Sequence, residues 1–251
     1  MSVITKIFDR LGVPVLSLVD ADQFAQANLL RTGERWDAQT DTLLAILMRQ
    51  KQDLLISDLR ELGLIDEVLP KQQKYDHALV LGSLVEGMKL RLSHLEQLRA
   101  RGYQFKDVAL LAGKRQLRAE EQASLPAELV DTLKTEGAAM LYLFEQSKLS
   151  DLPIQLIDAP MKTDANGNLV RPNTDDTIRY FAETATPGSC LVISNNPYIK
   201  RQTLVAQRIL DQFKFPTEGA GPAANLNSDR GRIRLLMDEF ARTLHELAAR
   251  G

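Results

Sequence analysis

Cys190 is the only cysteine in this 251-residue chain. No intramolecular disulfide can form, and a reducing, cytoplasmic setting is expected. An excess of either charge is also missing: 31 Lys and Arg face 33 Asp and Glu, for a formal net charge of −2. That balance gives no footing for a nucleic-acid binder, which would cluster basic residues on one face. Apolar runs stay far short of the ~18 residues a membrane span needs, and Lys6, Asp9, Arg10 and Pro14 interrupt the region where a signal peptide would carry its apolar core. Three histidines, His77, His94 and His245, show no paired spacing, so a zinc site is not expected. No G-x-S-x-G elbow is present, and no G-x-G-x-x-G follows the first apolar run. The stretch Gly82 to Lys89 approaches a phosphate-binding loop, but Met88 stands where the lysine is needed and no Ser or Thr follows Lys89.

With 44% hydrophobic and 25% charged residues, the composition is that of a folded globular chain. A chain of this length can bury roughly 70–75% of its unfolded surface without cross-links. Residues 1–74 read as a helical N-terminal extension packed on the core. Asp37 is placed to cap a segment carrying Leu43, Leu44 and Leu47, and a second segment carries Leu55, Leu59 and Leu62 before a stop at Gly63.

From residue 75 short apolar runs alternate with amphipathic helices, the pattern of βαβ units on a mostly parallel sheet. The expected strands are His77 to Leu81, Val108 to Leu111, Ile154 to Ile157 and Leu191 to Ile193, with a short edge strand within 214–228. Between them, Val85, Met88, Leu92, Leu95 and Leu98 mark one helical face ending at Gly102, and Met140, Leu143 and Phe144 mark another that starts near Thr135. Asn173 with Asp176 three residues on forms a capping box. Asn196 is expected to cap the next helix, with Pro197 as its first residue, and Ile233, Leu236, Phe240, Leu244 and Leu247 define a closing C-terminal helix. Two insertions, 114–132 and 159–172, interrupt the alternation, and Asn166-Gly167 predicts a hairpin turn in the second.

Ligands of open parallel sheets bind outside the carboxyl ends of the strands, where helix N-termini present unpaired N–H groups. The residues there are Gly82, Ser83, Gly113, Lys114, Arg115, Asp158, Ser194 and Asn195, with the helix starts at Thr135-Glu136, Asn173-Thr174 and Asn196 to Arg201. Glu136, Asp158, Asp175 and Asp176 are candidates for general acid or base, or for holding Mg²⁺ through water. First-turn acids such as Glu136, Asp175 and Asp176 also serve simply to complement a helix dipole. Arg91 reads equally as a solvated helix residue or as an anion ligand, and Arg201 lies one turn into its helix, in reach of an anion at the N-terminus.

The succession of Val80-Leu81-Gly82, Arg91, Ala112-Gly113, Glu136 to Met140, Leu152-Pro153 before Asp158, Asn173 to Thr177, and Leu191 to Ser194 with Tyr198 and Arg201 resembles the bacterial YdcF/SanA/ElyC-like family over about residues 75–212. The resemblance implies a Rossmann-like three-layer sandwich over 75–251. It also implies a strand-end pocket for a nucleotide-like or phosphorylated small molecule, with S-adenosylmethionine or a nucleotide as cofactor. Glu136 and Asp158 would be its catalytic acids. Gly82, Ser83, Arg91, Gly113, Lys114, Asn173, Thr174, Asp176, Ser194, Asn195, Tyr198 and Arg201 would line it. An anionic ligand and a transferase or hydrolase reaction are expected. The chain departs from the family pattern at Lys114, Gly137, Asp158, Asp176 and Tyr198. Those departures and the extra N-terminal residues leave an alternative: a non-catalytic module that binds a protein partner through its outer helices, its pocket vestigial.

Overall fold

The structure is a computed structural model that describes residues 2–30, 43–226 and 232–250. The Asp37 cap lies outside the described residues. The chain divides into two compact units. One holds residues 68–195 and 205–222, the other residues 1–67, 196–204 and 223–251. Where the sequence places a boundary at 74/75, the compact units part at 67/68, and the N-terminal helices share their unit with the C-terminal helix.

The first of these units is a Rossmann-like three-layer α/β sandwich. Its five parallel strands are β1 (Lys74–Leu81), β2 (Gln104–Gly113), β3 (Ile154–Ala159), β6 (Cys190–Ile193) and β7 (Thr217–Ala220), in the order β3-β2-β1-β6-β7. The expected edge strand is therefore present, as β7. Side-chain alternation sends Ala78, Val80, Val108, Leu110, Leu191 and Ile193 into one core with α5 (Val85–Ala100) and α7 (Glu136–Glu145). Leu79, Leu81, Ala109, Leu111, Cys190 and Val192 enter a second core with α8 (Thr174–Thr184) and the later half of α9 (Ile199–Leu210). Both faces of the central strands are thus covered, which is why they read as continuous apolar runs rather than as alternation. Gly102, at φ +94°, supplies the left-handed residue after α5.

The two insertions take up local structure of their own. A short helix, α6 (Ala119–Gln122), forms in the first. In the second, β4 (Lys162–Thr163) pairs antiparallel with β5 (Leu169–Val170). The hairpin is as expected, but Asp164 organises its turn as much as Asn166-Gly167 does. Asp164 Oδ1 accepts from the N–H groups of Asn166 (2.9 Å) and Asn168 (2.8 Å), and Gly167 takes φ +84°. Those hydrogen bonds hold the Asp164 carboxyl below its ordinary range.

The other unit contains α1 (Val3–Leu11), α2 (Leu18–Asn28), α3 (Leu43–Gln50), α4 (Gln52–Glu61) and α10 (Arg232–Ala248). Phe8, Ala25, Leu55, Leu59, Leu236, Met237 and Phe240 form its core. Ser2 and Ser17 cap the first two helices by accepting from Thr5 N and Asp20 N. Among the described residues no helix is long and apolar enough to cross a membrane.

Candidate functional site

The strand order reverses at β1: the chain runs outward through β2 and β3, then returns to place β6 on the other side. This topological switch point sits at the carboxyl ends of β1 and β6, where Gly82-Ser83 and Ser194-Asn195 follow the strands. Arg91 is only 2% exposed there. Its Nη1 donates to Leu81 O (2.7 Å) and Gly82 O (2.7 Å), and its Nε donates to Asn195 Oδ1 (2.9 Å). The solvated reading of Arg91 is therefore corrected. The guanidinium satisfies carbonyls left at the end of β1 and ties them to the segment after β6. Ser194 is fully buried, and its N–H donates to Ala220 O (3.1 Å), continuing the β6–β7 ladder.

Two acids lie at the ends of β2 and β3. Glu136 opens α7, whose N-cap Thr135 accepts from Ala138 N (3.2 Å). The Glu136 carboxyl is 12% exposed, and its Oε2 accepts from Gly113 N at 3.4 Å. Burial pushes this carboxyl above its ordinary range, against the pull of Arg115, the Gly113 N–H and Arg171. Gly82 is needed beneath it, because a Cβ there would stand 2.8 Å from both Glu136 Oε1 and Leu111 O. Asp158, at the end of β3, is likewise raised by burial, with Lys114 acting in the opposite direction. Its buried Oδ1 has no hydrogen-bond partner among the described residues and lies 3.0 Å from where a Gly137 Cβ would be. Gly137 is thus what lets α7 approach Asp158 closely.

The hairpin insertion closes over the same strand ends. A Cβ on Gly113 would meet Pro172 Cγ at 2.4 Å, so the chain returning from β5 runs directly over the end of β2. Lys162 Nζ on β4 pairs with Asp176 Oδ2 at 2.6 Å. Lys114 is exposed, and its N–H donates to Ala159 O (3.0 Å).

The remaining expected residues have other partners. Asn173 and Asp176 form the reciprocal capping box, Asn173 Oδ1 accepting from Asp176 N (3.0 Å) and Asp176 Oδ2 from Asn173 N (2.7 Å). Thr174 O accepts from Thr177 Oγ1 (3.2 Å), and Asp175 pairs with Arg208 (3.0 Å). Tyr198 and Arg201 belong to the other compact unit, where Arg201 Nε donates to the buried Glu239. The expectation that Asn196 caps the helix and Pro197 begins it is corrected. The helix starts at Ile199, after a cis Asn196–Pro197 bond, and Asn196 Nδ2 donates to Asp66 O. With the helix beginning at Ile199, Asn196 and Pro197 lie ahead of its cap position.

Sequence reasoning passed over Glu121. It is 6% exposed on α6 and grips Arg115 bidentately, at 2.7 and 3.0 Å. A four-residue helix gives no periodic signal, although Arg118 followed by Glu121 had the spacing of a capping box. Compared with protein-family models and with curated proteins, the chain matches none.

Proposed function

We propose that the α/β unit binds a nucleotide-like or phosphorylated small molecule at the carboxyl ends of its strands and that Glu136 and Asp158 serve it as proton donor and acceptor, in a transferase or hydrolase reaction. The observation that carries this reading is the two partly buried carboxyls, both raised by desolvation, Glu136 against the end of β2 and Asp158 at the end of the adjacent β3. Perturbed acids in such a position are the signature of acid–base sites. Lys114 and Arg171 supply positive potential toward these acids, which suits an anionic ligand. S-adenosylmethionine and nucleotides are the cofactors to try first, on the resemblance to the YdcF/SanA/ElyC-like family, and a bacterial, cytoplasmic setting goes with that reading.

Thermal-shift screening against nucleotides, S-adenosylmethionine and sugar phosphates tests it. A ligand at 100 times its Kd stabilises by about 2.7 kcal/mol. With a substrate in hand, Glu136→Gln lowers turnover by about 10²–10⁴-fold and leaves binding in place. No shift with any of these classes would sink the reading. One observation favours a second reading, the protein-interaction module. Leu16 (95% exposed) and Val19 (56%) stand unburied, and Leu16 lines a surface groove with Ile4, Val15 and Leu18 and with the polar Ser2, Thr5 and Ser17.

A further inference from the structure

Arg115 follows β2 and meets carboxyls from two sides. Its Nη1 and Nη2 reach Glu121 Oε2 and Oε1 at 2.7 and 3.0 Å, Nη2 also donates to Ser83 O at 3.2 Å, and Glu136 Oε1 stands off at 3.7 Å. The Arg115, Glu121 and Glu136 side chains are 12%, 6% and 12% exposed. One cation therefore serves two carboxyls in a largely dry setting, and the geometry decides between them. A bidentate fork is the strong form of this pairing, while a contact beyond hydrogen-bond reach contributes only its Coulomb attraction. Glu121 also accepts from Arg118 N (3.2 Å), which anchors it from a second side.

We infer that Glu121, on the insertion between β2 and α7, is a positioning residue for the site: by gripping Arg115 it keeps that cation from pairing fully with Glu136, so that Glu136 rather than Glu121 holds the exchangeable proton. The inference rests on the reading of Glu136 as an acid–base group. The charged groups around Glu136 are Arg115 from the end of β2 and Arg171 from the hairpin side, with Glu121 behind Arg115 and Asp158 against the neighbouring Gly137. The directions agree with the geometry. Hydrogen bonds from Arg115 and Arg118 bring Glu121 below its ordinary range in spite of burial, and burial takes Glu136 above its own. Glu121 thereby sets the protonation of a carboxyl to which it makes no hydrogen bond, acting through Arg115.

Carboxyl carbon NMR on the full chain, labelled at glutamate Cδ, tests this with no ligand present. Loss of one resonance in Glu136→Gln identifies that group, and Glu121→Gln does the same for its own. In the wild type, Glu136 takes up its proton at a higher pH than Glu121. In Glu121→Gln the amide oxygen still accepts from Arg118 N, the competing charge is gone, and the Glu136 midpoint falls by about one pH unit as Arg115 becomes its counter-charge. An unmoved midpoint in folded Glu121→Gln overturns the inference. So does a wild-type titration in which Glu136 takes up its proton below the ordinary glutamate range, a result that needs only the Glu136→Gln assignment and is read even if Glu121→Gln does not fold. A failed ligand screen with the titration order intact would remove only the proposed function.

Discussion

At the residue scale, burial and pairing decide what each charged side chain is free to do. Arg201 illustrates this. From its place one turn into a helix it reads as an anion ligand whose removal costs little stability, yet its side chain is 15% exposed and its partner Glu239 only 1%. Removing one member of such a pair takes the arginine's charge away from a buried carboxylate, and breaking buried pairs this way costs about 3–5 kcal/mol. Arg201→Ala should therefore lose about 3 kcal/mol in urea denaturation, near the lower end because the arginine keeps some contact with water. A loss below about 1 kcal/mol would return Arg201 to the surface class. Legibility divided along the same line. The places of Glu136 and Asp158 were legible because they follow from where a helix begins and a strand ends, both marked by local sequence. The partners Asn195 of Arg91, Glu239 of Arg201 and Asp66 of Asn196 lie 104, 38 and 130 residues away, a separation that no spacing rule reaches.

At the element scale, the strands and the helices flanking them were legible because each carries its own period and its own stop, as with Gly102 after α5. Element ends were less so. The β1 and β2 strands start three and four residues before their apolar runs, since ladder pairing extends through polar residues such as Lys74 and Gln104. The hairpin insertion was visible from its turn residues, but the contact that seats it was not. That contact depends on Gly113 having no side chain, because a Cβ 2.4 Å from the Pro172 ring carbon has no flexible neighbour to displace. Gly113→Ala should push the return from β5 off the end of β2. The expected signature is faster hydrogen exchange of amides across residues 162–173, those of the Asp164 turn included, with a stability loss of about 1–3 kcal/mol typical of overpacking. Unchanged exchange there would mean that the helix start at Asn173, not the Gly113 contact, holds the hairpin down.

At the scale of the whole molecule, periodicity showed that Ile233, Leu236, Phe240 and Leu244 share a buried face on α10, but not which element that face meets. The partners are the N-terminal helices: α10 packs with α2, α3 and α4, and its apolar residues join Phe8, Leu55 and Leu59 in one core. The two ends of the chain thus complete a single helical unit, and residues 75–251 alone would lack two thirds of that core's buried side chains. Ile233, Leu236, Met237, Phe240 and Leu244 are each at most 1% exposed, and exposing such side chains costs about 1.5–3 kcal/mol apiece, an upper estimate when the denatured chain is itself compact. A chain beginning at residue 75 should bind a hydrophobic dye strongly and aggregate, while the full chain does neither. Replacing Leu236 and Phe240 by serine in the truncated chain should restore much of its solubility, locating the defect on this face rather than in the sheet. If the truncated chain proved soluble, dye-silent and as stable as the full chain, α10 would have to be assigned to the sheet-bearing unit instead.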